Sequence, residues 1–172
     1  MKKTSLLALA LFSVTMAFSQ KTNKFNLDFI IKLQSLNGNE YKNHCKKIGL
    51  VVTTEWECCF PNSQYEELHK GFEDYFCIVD NRVDFNEIKI NFQVSNESKN
   101  IPYKKNPYFE NIINELKLRK YKSEKLYSSW FNVYVTKYYI SPSLFIYTFR
   151  NADYMQLRLS NKDLSKSLNL VQ

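Results

Sequence analysis

From Phe25 to Leu36 the apolar residues Phe25, Phe29, Leu33 and Leu36 recur at steps of three or four, with Ile30 beside them. That is the spacing of one buried face of a helix. Asn37-Gly38-Asn39 is expected to end it, and Tyr41, Cys45 and Ile48 outline a second short helix from Glu40 to Ile48, closed by Gly49. The pattern changes at Leu50. Val51-Val52-Thr53-Thr54-Glu55-Trp56 brings in β-branched and aromatic residues, which predicts one strand over 50–60. Alternation then sets Val52, Thr54, Trp56, Cys58 and Phe60 on one face and Cys59 on the other. Ser63 and Glu66 have the spacing of a capping box for a single helical turn. Tyr75 to Val79 reads as a short apolar strand, and Ile88, Ile90, Phe92 and Val94 alternate with Lys89, Asn91 and Gln93 as a half-buried one.

Residues 95–106 are mostly polar, without periodicity, and Pro102 and Pro107 punctuate the stretch, so they read as a linker. Past them the order of elements starts again. Phe109, Ile112, Ile113 and Leu116 mark a helix with Pro107 in its first turn, where the missing N–H costs little. Three β segments follow, over about 126–140, 144–150 and 154–160, joined at Ser141-Pro142-Ser143 and Asn151-Ala152-Asp153. The tail, 161–172, is polar and is expected to fray. Each half, 25–94 and 107–160, is thus helix followed by a three-stranded meander. The expected fold is α+β: two tandem helix–β–β–β units forming a mostly antiparallel sheet with helices on one face, within a single domain from 20 to 160. Residue identities do not line up between the halves.

At the N-terminus Lys2 and Lys3 precede an apolar or small-residue run from Ser5 to Phe18, and polarity returns at Ser19-Gln20-Lys21. This is the layout of a secretory signal peptide over 1–19, with Ala17 and Ser19 small at the cleavage site before Gln20. The run is shorter than the roughly 20 apolar residues that cross a bilayer. The expectation is therefore a periplasmic or secreted protein whose mature form has no transmembrane segment. The four cysteines, Cys45, Cys58, Cys59 and Cys77, fit a disulfide framework in that compartment. Sequence neighbours rarely bridge each other, which leaves Cys45–Cys58 with Cys59–Cys77, or Cys45–Cys59 with Cys58–Cys77. Tandem helix-plus-meander units in a disulfide-bearing exported chain resemble the architecture of the β-lactamase inhibitory protein and related small periplasmic domains. The resemblance covers most of 25–160 in element order alone, and no functional position carries over from it.

The formal charge is +7, and it is uneven: residues 101–172 hold twelve Lys/Arg against five Asp/Glu, whereas 20–100 hold ten against twelve. A basic half suits an acidic partner or an anionic envelope surface, and equally an ordinary solvated face. Export makes nucleic acid the least expected partner, and none is expected.

Recognisable catalytic chemistry is sparse. There is no G-x-S-x-G elbow, no H-E-x-x-H and no phosphate loop, and the glycines are three. His44 and His69 lack metal-ligand spacing to the cysteines, so neither a metal nor a cofactor is implied. Glu55 and Glu57 on one strand face, Glu66-Glu67 and Glu73-Asp74 are candidate carboxylate pairs for a small cell-wall or glycan hydrolase. The stronger signal is aromatic. Trp130, Tyr134 and Tyr138 share one face of the long predicted strand, beside Tyr147, Tyr154 and Arg158 from its neighbours. Trp, Tyr and Arg are the residues from which protein-binding hot spots are made. The leading expectation is a non-catalytic module holding a protein partner, inhibitor- or immunity-like, on an aromatic sheet face. The alternatives are the hydrolase and an envelope-associated structural protein with a basic surface.

Overall fold

The computed structural model describes residues 25–48, 50–52, 57–59, 76–92, 106–150 and 155–172, with the backbone path alone for 51–52 and 57–59. The leader, the capping-box segment, Tyr154 and most of the linker lie outside the described residues.

Helix α1, Leu27–Leu33, starts where the Asn26 side chain accepts a hydrogen bond from the Phe29 N–H at 2.9 Å, and it buries Leu27, Phe29, Ile30 and Leu33. Helix α2, Gly38–Lys46, begins two residues earlier than its spacing suggests. Gly38 sits at φ +47°, a left-handed conformation that glycine adopts without a Cβ penalty, so it opens the second helix rather than ending the first. Helix α4, Pro107–Leu118, is capped by Asn106, whose side chain accepts from the Tyr108 and Phe109 N–H groups, with Pro107 in the first turn as expected. A further single turn, α3, Arg82–Phe85, was not legible in the sequence. It closes on Asn86, held at φ +55°.

The strands are β1 (Val51–Val52), β2 (Glu57–Cys59), β3 (Phe76–Asn81), β4 (Glu87–Phe92), β5 (Lys122–Ser128), β6 (Val133–Ser141), β7 (Leu144–Arg150), β8 (Met155–Ser160) and β9 (Leu170–Val171). They form one sheet in the order β1-β2-β3-β4-β8-β7-β6-β5-β9, antiparallel at every junction. The α+β class and the antiparallel sheet are as expected, but among the described residues each meander has four strands. The predicted strand 50–60 is the pair β1 and β2, with Val51 opposite Cys59. The predicted strand 126–140 is likewise the hairpin β5–β6, because the chain reverses at 129–132, where Asn132 takes φ +50°. Neither Gly nor Pro marks that reversal, and Trp130 and Phe131 disguise it as strand.

The meanders meet where β4 pairs β8, with Ile88 opposite Leu159 and Ile90 opposite Leu157. These side chains face the helices. With Phe76, Ile78, Phe92, Tyr138 and Ile146 they form the main core beneath α1, α2 and α4, which also holds Cys45. Arg82 ties α1 to the sheet by donating to the Leu33 and Gln34 carbonyls at 3.2 and 3.1 Å while Asp80 accepts from its Nη2 at 2.5 Å. The tail, expected to fray, instead returns along the other face of the sheet, burying Leu164 and Leu168 and adding β9 to β5.

Because one core runs across the β4–β8 junction, the halves are expected to unfold together. Ile90→Ala and Leu157→Ala should each cost about 2–5 kcal/mol, read as a lower urea midpoint of a single transition. Two separable transitions, one per half, would contradict this.

Candidate functional site

The face opposite the helices is unusual in what it buries. Strand register lines up Val79, Lys89, Arg158, Tyr147, Lys137 and Glu124 in one row across β3, β4, β8, β7, β6 and β5. Three cations in a row repel one another, so each needs a local counter-charge. Glu87, itself buried, lies 3.3 Å from Arg158 Nη1 and 4.0 Å from Lys89 Nζ. Arg158 also donates from Nε to Gln156 Oε1 at 2.6 Å, and Gln156 donates on to Asn91 at 2.7 Å. The guanidinium lies 5.1 Å from the ring centre of Phe131 and 5.0 Å from that of Phe149, within cation–π reach.

Lys137 is answered from the tail. Its Nζ, in a side chain 4% exposed, reaches Asp163 at 2.7 Å and Glu124 at 3.4 Å, with the rings of Tyr139, Phe145 and Tyr147 around it. Burial works against this charge, but hydrogen bonds to Asp163 and Tyr139 outweigh it and hold the ammonium above its ordinary pKa. Burial likewise pushes the Asp163 carboxyl up. Hydrogen bonds from Lys137, Ser165 and Tyr147 prevail and keep it well below the usual carboxylate range. Burial, followed by the bond to Asp163, raises the Tyr147 hydroxyl.

Between this row and the tail lies a cleft of about 520 Å³, within the range of small ligand and side-chain pockets. Asp84, Glu87, Lys89 and Arg158 contribute its charged lining. Phe85 from α3 and Trp130 from the β5–β6 turn line it too, and they are 63% and 70% exposed. Leu164, Ser167 and Leu168 of the tail form a further wall. Val83, two residues before Phe85, is 80% exposed. Large apolar groups gathered around a concavity are the surface feature that marks interaction sites.

Of the expected binding residues, Trp130 and Arg158 meet in this cleft. Tyr138 and Tyr147 do not belong to a binding surface: Tyr138 lies in the main core under the helices, and Tyr147 is wholly buried on the opposite face. They part because Tyr138 pairs with Ile146, which leaves Tyr147 opposite Lys137. Tyr134 is exposed but away from the cleft, its ring 5.5 Å from that of Tyr127 and under Lys125 Nζ at 4.3 Å. Phe85, Glu87 and the tail leucines were missed. The available signal was Val83-Asp84-Phe85, apolar residues interleaved with charge in a connection that needs none.

Of the candidate carboxylates, Glu55, Glu66, Glu67, Glu73 and Asp74 lie outside the described residues, and Glu57 is described by its backbone alone. His44 stacks on Phe29 with centroids 4.3 Å apart, which places it in helix packing, and burial lowers its pKa. Among the described residues no group of three or more His, Cys, Asp or Glu could hold a metal ion. Among them, too, no helix is long and apolar enough to cross a membrane. In β2 and β3 the register puts Cys59 directly opposite Cys77.

The depressed carboxyl of Asp163 fixes the sign of a pH effect. Its contribution to stability is fully present above the unfolded aspartate pKa, near ~4, and is lost as pH falls below it. The groups that face Asp163 are Lys137, Tyr147 and Ser165, none of which titrates in that range. Urea midpoints should therefore fall more steeply on acidification from about pH 5 to 3 in the wild type than in Asp163→Asn. Parallel curves would remove Asp163 from the balance.

Compared with known proteins, no family model matches the chain, and neither a curated protein nor a solved structure matches it.

Proposed function

We propose that this chain is exported and acts outside the cytoplasm as a non-catalytic binding module, holding a protein partner at the cleft between α3, the β5–β6 turn and the C-terminal segment. The observation that carries the reading is that Phe85 and Trp130, both exposed, line one concavity that also holds a buried Arg158–Glu87 ion pair. An exposed aromatic pair is costly to leave in water and contributes most when a partner covers it. The volume suits one or two inserted side chains, so the partner presents an apolar loop or segment, as an inhibitor's target or a toxin bound by an immunity protein would.

The basic half argues less for an anionic surface than its count suggests. Arg119, Lys137, Arg150 and Arg158 are each engaged by a carboxylate: Asp28, Asp163, Glu110 and Glu87 respectively.

Export is supported by the basic, apolar and small-residue order over 1–19 and by the strand register that sets Cys77 opposite Cys59. With Cys59 opposite it, a Cys59–Cys77 bridge is the pairing the register favours. Mass spectrometry of the N-terminal peptide of native protein should place its first residue at Gln20, free or cyclised to pyroglutamate, and a non-reducing peptide map should join the peptides bearing Cys59 and Cys77. Retention of residues 1–19 together with a free Cys77 thiol would end the export reading.

Replacing Phe85 and Trp130 together by Ser should leave the far-UV spectrum unchanged, since both side chains are largely in solvent. Affinity for a partner captured specifically from envelope or medium extract and then purified should drop about tenfold or more in calorimetric titration. Undiminished affinity would move the site away from the cleft. The absence of any saturable partner would reject the binding module.

A further inference from the structure

We infer that residues 161–171 form a strap, latched closed by Asp163, whose seating builds one wall of the cleft. The role of that wall in recognition rests on the binding reading above, whereas the latch stands on its own geometry.

The attachment is polar at one end. Asp163 Oδ2 meets Lys137 Nζ at 2.7 Å, and its Oδ1 accepts from the Tyr147 hydroxyl at 2.8 Å and from the Ser165 N–H at 2.9 Å. The Tyr147 oxygen in turn accepts from the Leu164 N–H at 2.8 Å, and Ser165 Oγ stands 3.2 Å from Lys137 Nζ. Lys137 lies on β6 and Tyr147 on β7, so two strands grip three consecutive residues of the tail. Beyond them the segment is held by two buried leucines, Leu164 and Leu168, by the Ser128 hydroxyl donating to the Leu168 carbonyl at 2.9 Å, and by the two-residue strand β9. Its internal bonds make one short turn: Leu168 N–H to Leu164 O, Asn169 N–H to Lys166 O and Leu170 N–H to Ser165 O, at 2.9, 3.1 and 2.8 Å, with the Ser167 hydroxyl donating to Leu164 O at 3.0 Å.

A terminal segment held by two leucines, a two-residue strand and one polar cluster opens at lower free energy than the sheet it covers. Opening separates Lys137 from Asp163 and Ser165, leaving the ammonium among Tyr139, Phe145 and Tyr147 with Glu124 alone, so the latch is what disfavours it. Opening also withdraws Leu164, Ser167 and Leu168 from the cleft opposite Phe85 and Trp130. A ligand that touches those three residues binds the closed state better than the open one, and thereby closes the strap by that difference in affinity. Asp163 is a positioning residue for the cleft, acting through the strap rather than by contact with what binds.

The test is native-state amide exchange on the full-length chain, with no partner added. In the wild type the Leu168 and Leu170 amides should exchange at least about tenfold faster than those of Ile90 and Leu157. Asp163→Asn should speed Leu168 and Leu170 by roughly another tenfold, the loss of a charged hydrogen bond, and Ile90 and Leu157, which open only with the whole fold, by no more than that factor, so that they stay at least about tenfold slower than the strap. In a Trp56→Phe background, where Trp130 is the remaining tryptophan, the same variant should raise acrylamide quenching of Trp130. Exchange of Leu168 and Leu170 at the sheet's own rate in the wild type would overturn the strap as a separate unit, without any variant being needed. Unchanged strap exchange in Asp163→Asn would overturn the latch. A cleft that binds nothing, with the strap still opening as described, would remove the binding reading and leave the strap.

Discussion

The antiparallel pairing of β4 with β8 is the constraint on which the rest of the molecule depends. Among the described residues it is the only junction at which the two meanders touch edge to edge in the strand order, and both of its faces are used. On the helix side Ile88, Ile90, Leu157 and Leu159 are wholly buried, so the core is continuous from one half to the other. On the other side the same register brings Glu87 to Arg158 and Asn91 to Gln156, which supplies the charged lining of the cleft. A one-residue slip would turn the isoleucines to the cleft and the ion pair into the core, a double penalty that specifies the register strongly.

Element order was legible in the chain because it is written in local physics. Asn106-Pro107 starts a helix and Ser141-Pro142-Ser143 turns a hairpin for reasons of capping and fixed φ, and both do so in the structure. The alternation along β6 was also readable, with Val133 and Val135 on one face and Tyr134 and Tyr138 on the other. The relation between strands was not. Whether Tyr138 shares a face with Tyr147 depends on the offset of the β6–β7 pairing, a single-residue quantity that alternation within each strand leaves open. The reversal at Asn132 escaped for a related reason, since an Asn in the left-handed region can do the work of a glycine while Trp130 and Phe131 mimic strand. The cleft was half visible: Trp130 and Arg158 stood out by type, whereas Phe85 depends on a helical turn only four residues long.

The tail shows how a few residues can reverse an expectation based on composition. Polar content argues for fraying, and residues 161–172 hold Lys162, Asp163 and Lys166 among serines and asparagines. What decides its fate is Leu164, Leu168 and Leu170, spaced so that one turn presents the first two to the sheet, and the vacancy they fill. Without them Val135, Tyr147 and Phe149 would form an apolar face in water, opposite the helices.

That face still has to account for Lys137, a cation where a leucine would pack without desolvation cost. Apolar contact is non-directional, and two leucines on a short segment can seat on a broad aromatic surface in more than one offset. A buried ammonium is selective: it tolerates a position of the tail that brings a carboxylate to it and strongly disfavours those that leave it unpaired. Asp163, immediately before Leu164, satisfies Lys137 and Tyr147 together, so the polar contact sets where the leucines fall and hence which of their atoms line the cleft. A buried charge that is costly only when unpaired is what gives its covering segment a single place to sit.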